Sequence, residues 1–420
     1  MSGQAKLNRR DIFRMTGGVA GAAALSSVAS VATAAPTAVG VAKVSLQEAG
    51  GAEARFAYVG AYTRGAPGGW SAVAAANRPE GVTVFSLGPG MGDLKLVQTV
   101  PSDNPSFVAI HPSGDYLYVL NEIADYEGVE MGSLEAYAID DATGELTLIN
   151  RVAVGSIPAH LTVSPGGDYL AVATYVGGTY ELFPIGADGS LGEAGSVAQQ
   201  EGSGPNANRQ EAPHAHAIVF DPGGSYVVGV DLGTDTVKSF TYAGGELVEV
   251  SAVNVAPGSG PRHAAFHPNG EILYVISELT ATITALAFDP ASGAFGDILQ
   301  TISTVPQDFP EDKSTAEILV HPSGNFLYGS NRKFEDHPLA DAIVAYRIDD
   351  QGMLRLIGYT TYGIKFPRGF SIDPTGTWLY AMGQKGDSIV QFHIDPSSGA
   401  LTPTGSTTAA MVPVSMAFKS

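Results

Sequence analysis

From about residue 55 onward, the apolar positions of the chain fall in short runs bounded by Gly, Pro, Asp or Asn. Such runs predict strands, and no segment past the N-terminus keeps a helical period. The punctuation repeats. A turn of the form x-Pro-x-Gly recurs as His111-Pro-Ser-Gly, Ser164-Pro-Gly-Gly, Asp221-Pro-Gly-Gly, His267-Pro-Asn-Gly, His321-Pro-Ser-Gly and Asp373-Pro-Thr-Gly, with first residues 53, 57, 46, 54 and 52 positions apart. Proline presets one turn dihedral and the glycine accepts a left-handed one, so each motif closes a tight reversal. Before most turns stands a Pro and a short apolar strand, as in Pro105-Ser-Phe-Val-Ala-Ile and Pro261-Arg-His-Ala-Ala-Phe. An aromatic or aliphatic strand follows each turn, as in Tyr116-Leu-Tyr-Val-Leu, then a third such as Ser133-Leu-Glu-Ala-Tyr, then a Gly-x-Leu fourth strand as at Gly144 and Gly399.

Four antiparallel strands in a repeat of roughly fifty residues predict a propeller blade. Six complete units are visible, and the two chain ends supply a seventh. Pro413-Val-Ser-Met-Ala-Phe418 matches a first strand that stops before its turn, and Phe56-Ala-Tyr-Val-Gly-Ala-Tyr62 matches a second strand with no first. Pairing them closes a ring and covers edges that would otherwise stay open. The expected fold is all-β, a seven-bladed β-propeller over residues 55–420, closed by the N- and C-terminal strands in one blade.

Residues 1–34 read as an address. Asn8-Arg9-Arg10-Asp11-Ile12-Phe13-Arg14 sets paired arginines before a Gly/Ala-rich stretch from Met15 to Ala32, and Ala32-Thr33-Ala34 offers small residues to a signal peptidase. The pattern resembles a twin-arginine export signal, so a periplasmic or extracellular location is expected. The stretch is too short and too poor in Leu and Ile to span a bilayer, and no membrane association is expected after cleavage. Residues 35–54 read as a flexible Ala/Gly/Val linker.

Composition narrows the partners. The 420 residues carry 42 acidic against 22 basic side chains, a net charge of −20, with no Lys/Arg-rich tract. Such a field repels phosphate backbones, which excludes a nucleic-acid partner, and an anionic ligand would need a local arginine cluster. Cysteine is absent, which removes disulfides, thiolate metal sites and cysteine nucleophiles. No Gly-x-Ser-x-Gly elbow supports a serine hydrolase. The protein is expected to be a monomer that uses no cofactor.

Propeller topology sorts the polar residues. The start of strand one and the end of strand two share a mouth, and the turns, with His111, His267 and His321, lie at the other. One position after the strand-one Pro stand Ser106, Ala159, His214, Arg262, Ala316, Arg368 and Val414, and the next position adds His160, His263 and Glu317. The end of strand two holds Tyr62, Glu122, Tyr175, Leu232, Glu278, Arg332 and Gln384, with Asp231 one step earlier. Charged side chains rarely line a tight β core unless paired or used. His214 and His216 alternate with Ala215, so both are expected to face one way, hydrogen-bonded rather than metal-bound. An imidazole that takes a proton from water and guanidiniums that hold an oxyanion are the parts that opening a lactone requires.

These residues carry a resemblance. Pro213-His-Ala-His216 with Asp231-Leu-Gly-Thr-Asp235, Gly260-Pro-Arg-His263 with Ser277-Glu278-Leu279, Ala316-Glu317 with Ser330-Asn-Arg332, and Pro367-Arg368-Gly-Phe370 are similar, in order and spacing, to the propeller lactonase family over roughly residues 55–420. That family includes bacterial 6-phosphogluconolactonase and fungal carboxy-cis,cis-muconate cyclase. The resemblance implies a metal-independent lactone hydrolase with His214, Arg262, Glu278 and Arg332 as its active residues. His214 is expected as base, Arg262 and Arg332 as anion and oxyanion binders, and Glu278 as acid or as orienter of the imidazole. His216, Asp231, His263, Glu317, Arg368 and Glu122 are expected to bind the substrate. A lactonizing cycloisomerase, and a non-catalytic propeller that binds carbohydrate or protein, are the alternatives. The chain departs from a cytoplasmic phosphogluconolactonase in its export signal, in the long Arg332–Asp341 loop with Lys333, Glu335, Asp336 and His337, and in an insertion from Arg64 to Arg78.

Overall fold

A computed structural model of the protein describes residues 53–65, 80–88, 90, 92–309, 313–332 and 338–420. The expected export signal (1–34) lies outside the described residues, as do the linker up to residue 52, residues 66–78 of the insertion, and Lys333, Glu335, Asp336 and His337.

Alternating apolar residues cannot bury a single sheet alone, and the chain solves this by stacking sheets around a ring. Among the described residues are seven four-stranded antiparallel sheets. Blade 1 joins Pro413–Lys419 to Phe56–Ala61, Gly81–Leu87 and Leu94–Pro101. Blades 2 to 7 span 105–154, 158–199, 215–254, 261–303, 314–360 and 367–409. The first strand of each is innermost, and each inner strand touches the next until the last, Pro367–Ile372, meets Pro413–Lys419. Ring closure by the chain ends is thus observed, with Phe56 to Ala61 paired antiparallel to Lys419 through Pro413.

Apolar packing lies between blades rather than at one centre. Tyr274, Ile276 and Ile283 of blade 5 pack on Ile318, Leu327 and Val344 of blade 6, and an equivalent cluster fills each of the other interfaces. Each fully buried Val, Leu or Ile contributes roughly 1.5–3 kcal/mol. Tyrosines on the second strands add a polar staple. Tyr58, Tyr118, Tyr274, Tyr328 and Tyr380 donate their hydroxyls to the carbonyls of Gly144, Gly189, Gly352, Gly399 and Gly92, each in the next blade. Every one of these glycines has positive φ, so the turn that presents the carbonyl is one that glycine makes readily. At the same end of the blades, where the x-Pro-x-Gly turns lie, His111, His267 and His321 bond the carbonyls of Gly167, Gly324 and Gly376 in the following blade, and Lys419 does the same to Gly114. The x-Pro-x-Gly turns are therefore linked to one another, and their histidines are structural.

Each inner strand also carries a register shift near its start: between Pro105 and Phe107, Pro158 and His160, Ala215 and Ala217, Pro261 and His263, Thr315 and Ile318, and Pro367 and Gly369, with the matching shift in blade 1 at Gly60/Ala61. A bulge leaves one residue outside the ladder and re-aims its side chain. Seven in register put Ser106, Ala159, His216, Arg262, Ala316, Arg368 and Val414 on one circle around the channel.

Tyr328→Phe should lower stability by about 1–2 kcal/mol, since it leaves the buried Gly399 carbonyl unpaired. Chemical denaturation with an unchanged slope would measure this, and an unaltered midpoint would refute the staple.

Candidate active site

Blade 4 corrects the expected register. His214 was expected on the circle beside Arg262. In blades 1, 2, 3, 5 and 7 a Pro sits opposite the end of strand two, as Pro261 pairs with Ser277, but in blade 4 Ala215 takes that place, paired with Asp231. Pro213 thus stands two residues before the strand position it would occupy elsewhere. His216 fills the bulge, and His214 lies just ahead of the strand, so the two do not alternate along it.

A separate set of contacts holds His214. Its backbone N–H donates to Asp231 Oδ1 at 2.9 Å, and the same oxygen accepts from the amides of Gly233 and Thr234. Asp231 therefore clamps the turn. Its burial pushes its carboxyl pKa up, and the three amide donors work against that rise. The His214 ring stacks on Tyr175, centroids 4.3 Å apart and planes 8° apart, and Nδ1 lies 2.9 Å from the Tyr175 carbonyl. A carbonyl only accepts, so Nδ1 carries a hydrogen, and Nε2 is the nitrogen left to exchange a proton. Glu211 Oε1 lies 3.3 Å from Nε2.

One carboxylate organises the arginines. Glu278 Oε2 accepts from Arg262 Nε at 3.0 Å and Arg332 Nη2 at 3.1 Å, and Oε1 accepts from Arg209 Nη2 at 2.9 Å. Burial pushes the Glu278 pKa up, but Arg332, Arg209 and Arg262 outweigh it and hold the carboxyl well below its usual range. Its hydrogen-bond partners are guanidiniums, not an imidazole. That geometry makes Glu278 an organiser of arginines, and it does not touch the His214 imidazole that it was expected to orient. Arg262 also donates to the Ala316 carbonyl at 2.7 Å. Burial, with Arg262 and Arg368 adding to it, pulls Arg332 down to about 9 against the pull of Glu278, so it is still charged at neutral pH.

Across the channel Arg368 lies 3.4 Å from Glu122 Oε2 and 5.2 Å above the Tyr62 ring, while the Tyr62 hydroxyl donates to the same Glu122 oxygen at 2.7 Å. This pair balances its own charge. The Glu278 cluster does not: three guanidiniums meet one carboxylate.

One residue further along the inner strands stand His160, His263 and Glu317, and His216 turns its ring onto this deeper tier from the circle. His160 and His216 each contact His263 edge-on, with centroids 5.1 and 5.4 Å from it, and His263 Nδ1 lies 2.8 Å from Glu317 Oε1. Burial takes His160 down to about 3 and His216 and His263 well below their ordinary value, with Arg262 adding to the last two. Burial likewise raises Glu317 to about 7. Among the described residues no three His, Cys, Asp or Glu side chains are grouped so as to hold a metal ion.

A family model described as lactonase, 7-bladed beta-propeller, matches residues 56–418. The chain belongs to the seven-bladed propeller lactonases. Within this family it is 34% identical over 366 residues to the 6-phosphogluconolactonase of Bacillus subtilis, covering 86% of this chain and 97% of that one. It is 32% identical over 353 residues to the 6-phosphogluconolactonase of Formosa agariphila, covering 82% and 94%. The solved structure of the periplasmic gluconolactonase of Pseudomonas aeruginosa matches this propeller lactonase with a TM-score of 0.77 at 26% identity, covering 87% and 99%. The protein is a lactonase, and a small lactone is its substrate.

The structure brings His214, Arg262, Glu278 and Arg332 into one contact chain that runs through Tyr175 and Arg209, since Arg209 Nη2 also lies 3.4 Å from the Tyr175 hydroxyl. Arg368 with Glu122, and His216 and His263 with Glu317, form the neighbouring groups, and Asp231 supports His214 from behind. Sequence reasoning missed Arg209 and Glu211. Both lie in the loop between blades 3 and 4, which has no counterpart in the repeat, and their one signal was the charged Arg-Gln-Glu just ahead of Pro213-His214.

Glu317→Gln tests the deep tier. A carboxyl whose folded pKa is raised contributes its stability fully below the ordinary value and loses it as pH climbs through about 7. The variant cannot ionise, so its unfolding free energy relative to wild type should rise between pH 5 and pH 8, by an amount on the order of 1–3 kcal/mol. A difference that does not change with pH would contradict the buried, protonated carboxyl.

Proposed function

We propose that the protein hydrolyses a sugar lactone or another acid lactone at this mouth, with His214 as general base. The observation that carries this reading is the pairing of a basic imidazole nitrogen, fixed by the Nδ1 bond to Tyr175, with a buried cluster of three guanidiniums on one carboxylate. Water attacks the acyl carbon, and His214 Nε2 takes one of its protons. The negative charge that develops on the carbonyl oxygen is stabilised by Arg262 and Arg332, which Glu278 holds in place before substrate arrives. The ring C–O bond then breaks, the imidazolium returns its proton to the departing alkoxide, and a hydroxy acid leaves. Glu211, beside Nε2, is a counter-charge for the imidazolium between these steps. The names of the Bacillus and Formosa relatives support a phosphorylated aldonolactone, and that of the Pseudomonas enzyme supports an unphosphorylated one.

His214→Gln should lower kcat by about 10²–10⁴-fold, and Arg262→Met by about 10²–10³-fold, on whichever sugar or muconate-type lactone the wild type opens. Circular dichroism must show both variants folded. Full activity in both would overturn the assignment, and a product isomeric with the substrate, in place of the hydroxy acid, would make the enzyme a cycloisomerase.

We also propose that the protein is exported. The paired arginines before a Gly/Ala-rich stretch support this, as does the periplasmic location in the name of the Pseudomonas enzyme. Replacing Arg9 and Arg10 by lysine should leave the chain in the cytoplasm at its uncleaved mass, whereas export at the wild-type level would refute the signal.

A further inference from the structure

We infer that Arg209 reads a charged group on the substrate and so makes this lactonase prefer lactones that bear a phosphate or carboxylate. The inference rests on the lactonase reading of the mouth and adds a specificity-determining residue to it.

Three observations lead there. The first is position. Arg262 and Arg332 stand on blades with side chains 2% and 7% exposed, whereas Arg209 comes from the loop between blades 3 and 4 and is 36% exposed. A ligand entering from solvent meets Arg209 first. The second is unused bonding capacity. The Nε–H groups of Arg209 and Arg332 are buried without partners, although both guanidiniums are bound to Glu278 through other nitrogens. Unpaired buried donors are costly, and an anion with two or three acceptor oxygens would satisfy them. The third is charge. Glu278 offers one negative charge to three guanidiniums, which leaves an excess of two positive charges inside a chain whose net charge is −20.

The loop is built to hold this side chain. Gln210 is fully buried and donates from Nε2 to the Leu232 carbonyl at 2.8 Å, while its Oε1 accepts from the Asn206 amide and its carbonyl from the Gly204 amide. The Arg209 amide in turn donates to the Asn206 carbonyl. Gln210 thus acts as an anchor that delivers Arg209 to Glu278 and Glu211 to His214. A preordered arginine loses little freedom when it binds an anion.

The experiment compares wild type with Arg209→Met and Arg209→Lys on 6-phosphogluconolactone, a carboxylate-bearing muconolactone and neutral glucono-δ-lactone, corrected for spontaneous opening. Arg209→Met should raise KM for a charged lactone by about tenfold to a hundredfold while kcat moves less, and Arg209→Lys should recover part of the loss. The kcat/KM ratio of charged over neutral lactone should fall with it, and the arm that falls identifies phosphate or carboxylate as the group read. An equal loss on charged and neutral lactones would make Arg209 a support for Glu278 alone and overturn the inference, as would an unchanged ratio. Calorimetric binding of 6-phosphogluconate and of carboxymuconate separates this from the hydrolysis reading. A loss of about tenfold or more for either in Arg209→Met supports the inference even if the wild type opens none of these lactones, and equal affinities for both overturn it.

Discussion

Each blade can bury its faces only against its two neighbours, so closure of the ring is the condition on which every other feature rests. The apolar clusters all bridge adjacent blades, and the tyrosine–glycine and histidine–glycine bonds run in the same sense from one blade to the next. An open ring would expose two sheet faces and two strand edges at once. The chain avoids this by splitting blade 1 between its ends, so that Pro413–Lys419 supplies the inner strand to Phe56–Ala61. Closure also fixes the inner strands relative to one another, and that relation aligns the bulges into a circle. The site follows from the architecture: a residue that merely stands near the start of its strand becomes a channel-facing group because its six counterparts bulge at the same height.

Inside that circle a single carboxylate decides the electrostatics. Burying Glu278 would be strongly unfavourable alone, and burying Arg262 or Arg332 without it equally so. Together they are tolerated, but with positive charge to spare. The surface acidity does not cancel this excess, since exposed charges beyond a Debye length of about 8 Å are largely screened at physiological salt while a buried cluster is not. An acidic protein thereby keeps a locally cationic pocket. Arg209, from outside the blades, places the excess where solvent can reach it.

How much of this was legible depends on whether a residue belongs to the repeat. The x-Pro-x-Gly turns and the two half-units at the chain ends were enough for the blade count and for closure, because each is a local pattern with a local physical cause. Arg262, Glu278, Arg332, Arg368 and Glu122 fall at repeated positions, so alignment of the units gathered them at one mouth. His214 did not follow. Its neighbour Pro213 looks like the strand-opening proline of other blades, but the strand opens at Ala215, and only the pairing with Asp231 reveals it. The staples were half visible, since the tyrosines recur while their glycine partners lie 71 to 86 residues away in most cases. Arg209 and Glu211 were beyond reach for the same reason that they are informative: they sit on a segment the repeat does not contain.

The two tiers of the channel constrain each other. Arg262 and Arg368 both act to keep His216 and His263 unprotonated, adding to the effect of burial. Neutral imidazoles beneath the guanidiniums in turn leave the positive charge concentrated at the mouth and not spread down the channel. Glu317 completes the arrangement, because a carboxyl raised to about 7 bonds to His263 without placing a full negative charge under the arginines in mildly acid conditions. Had the lower tier carried charge of either sign, it would have competed with Glu278 for the guanidiniums or repelled them. In mildly acid conditions an uncharged floor therefore lets one buried carboxylate set the positions of three arginines.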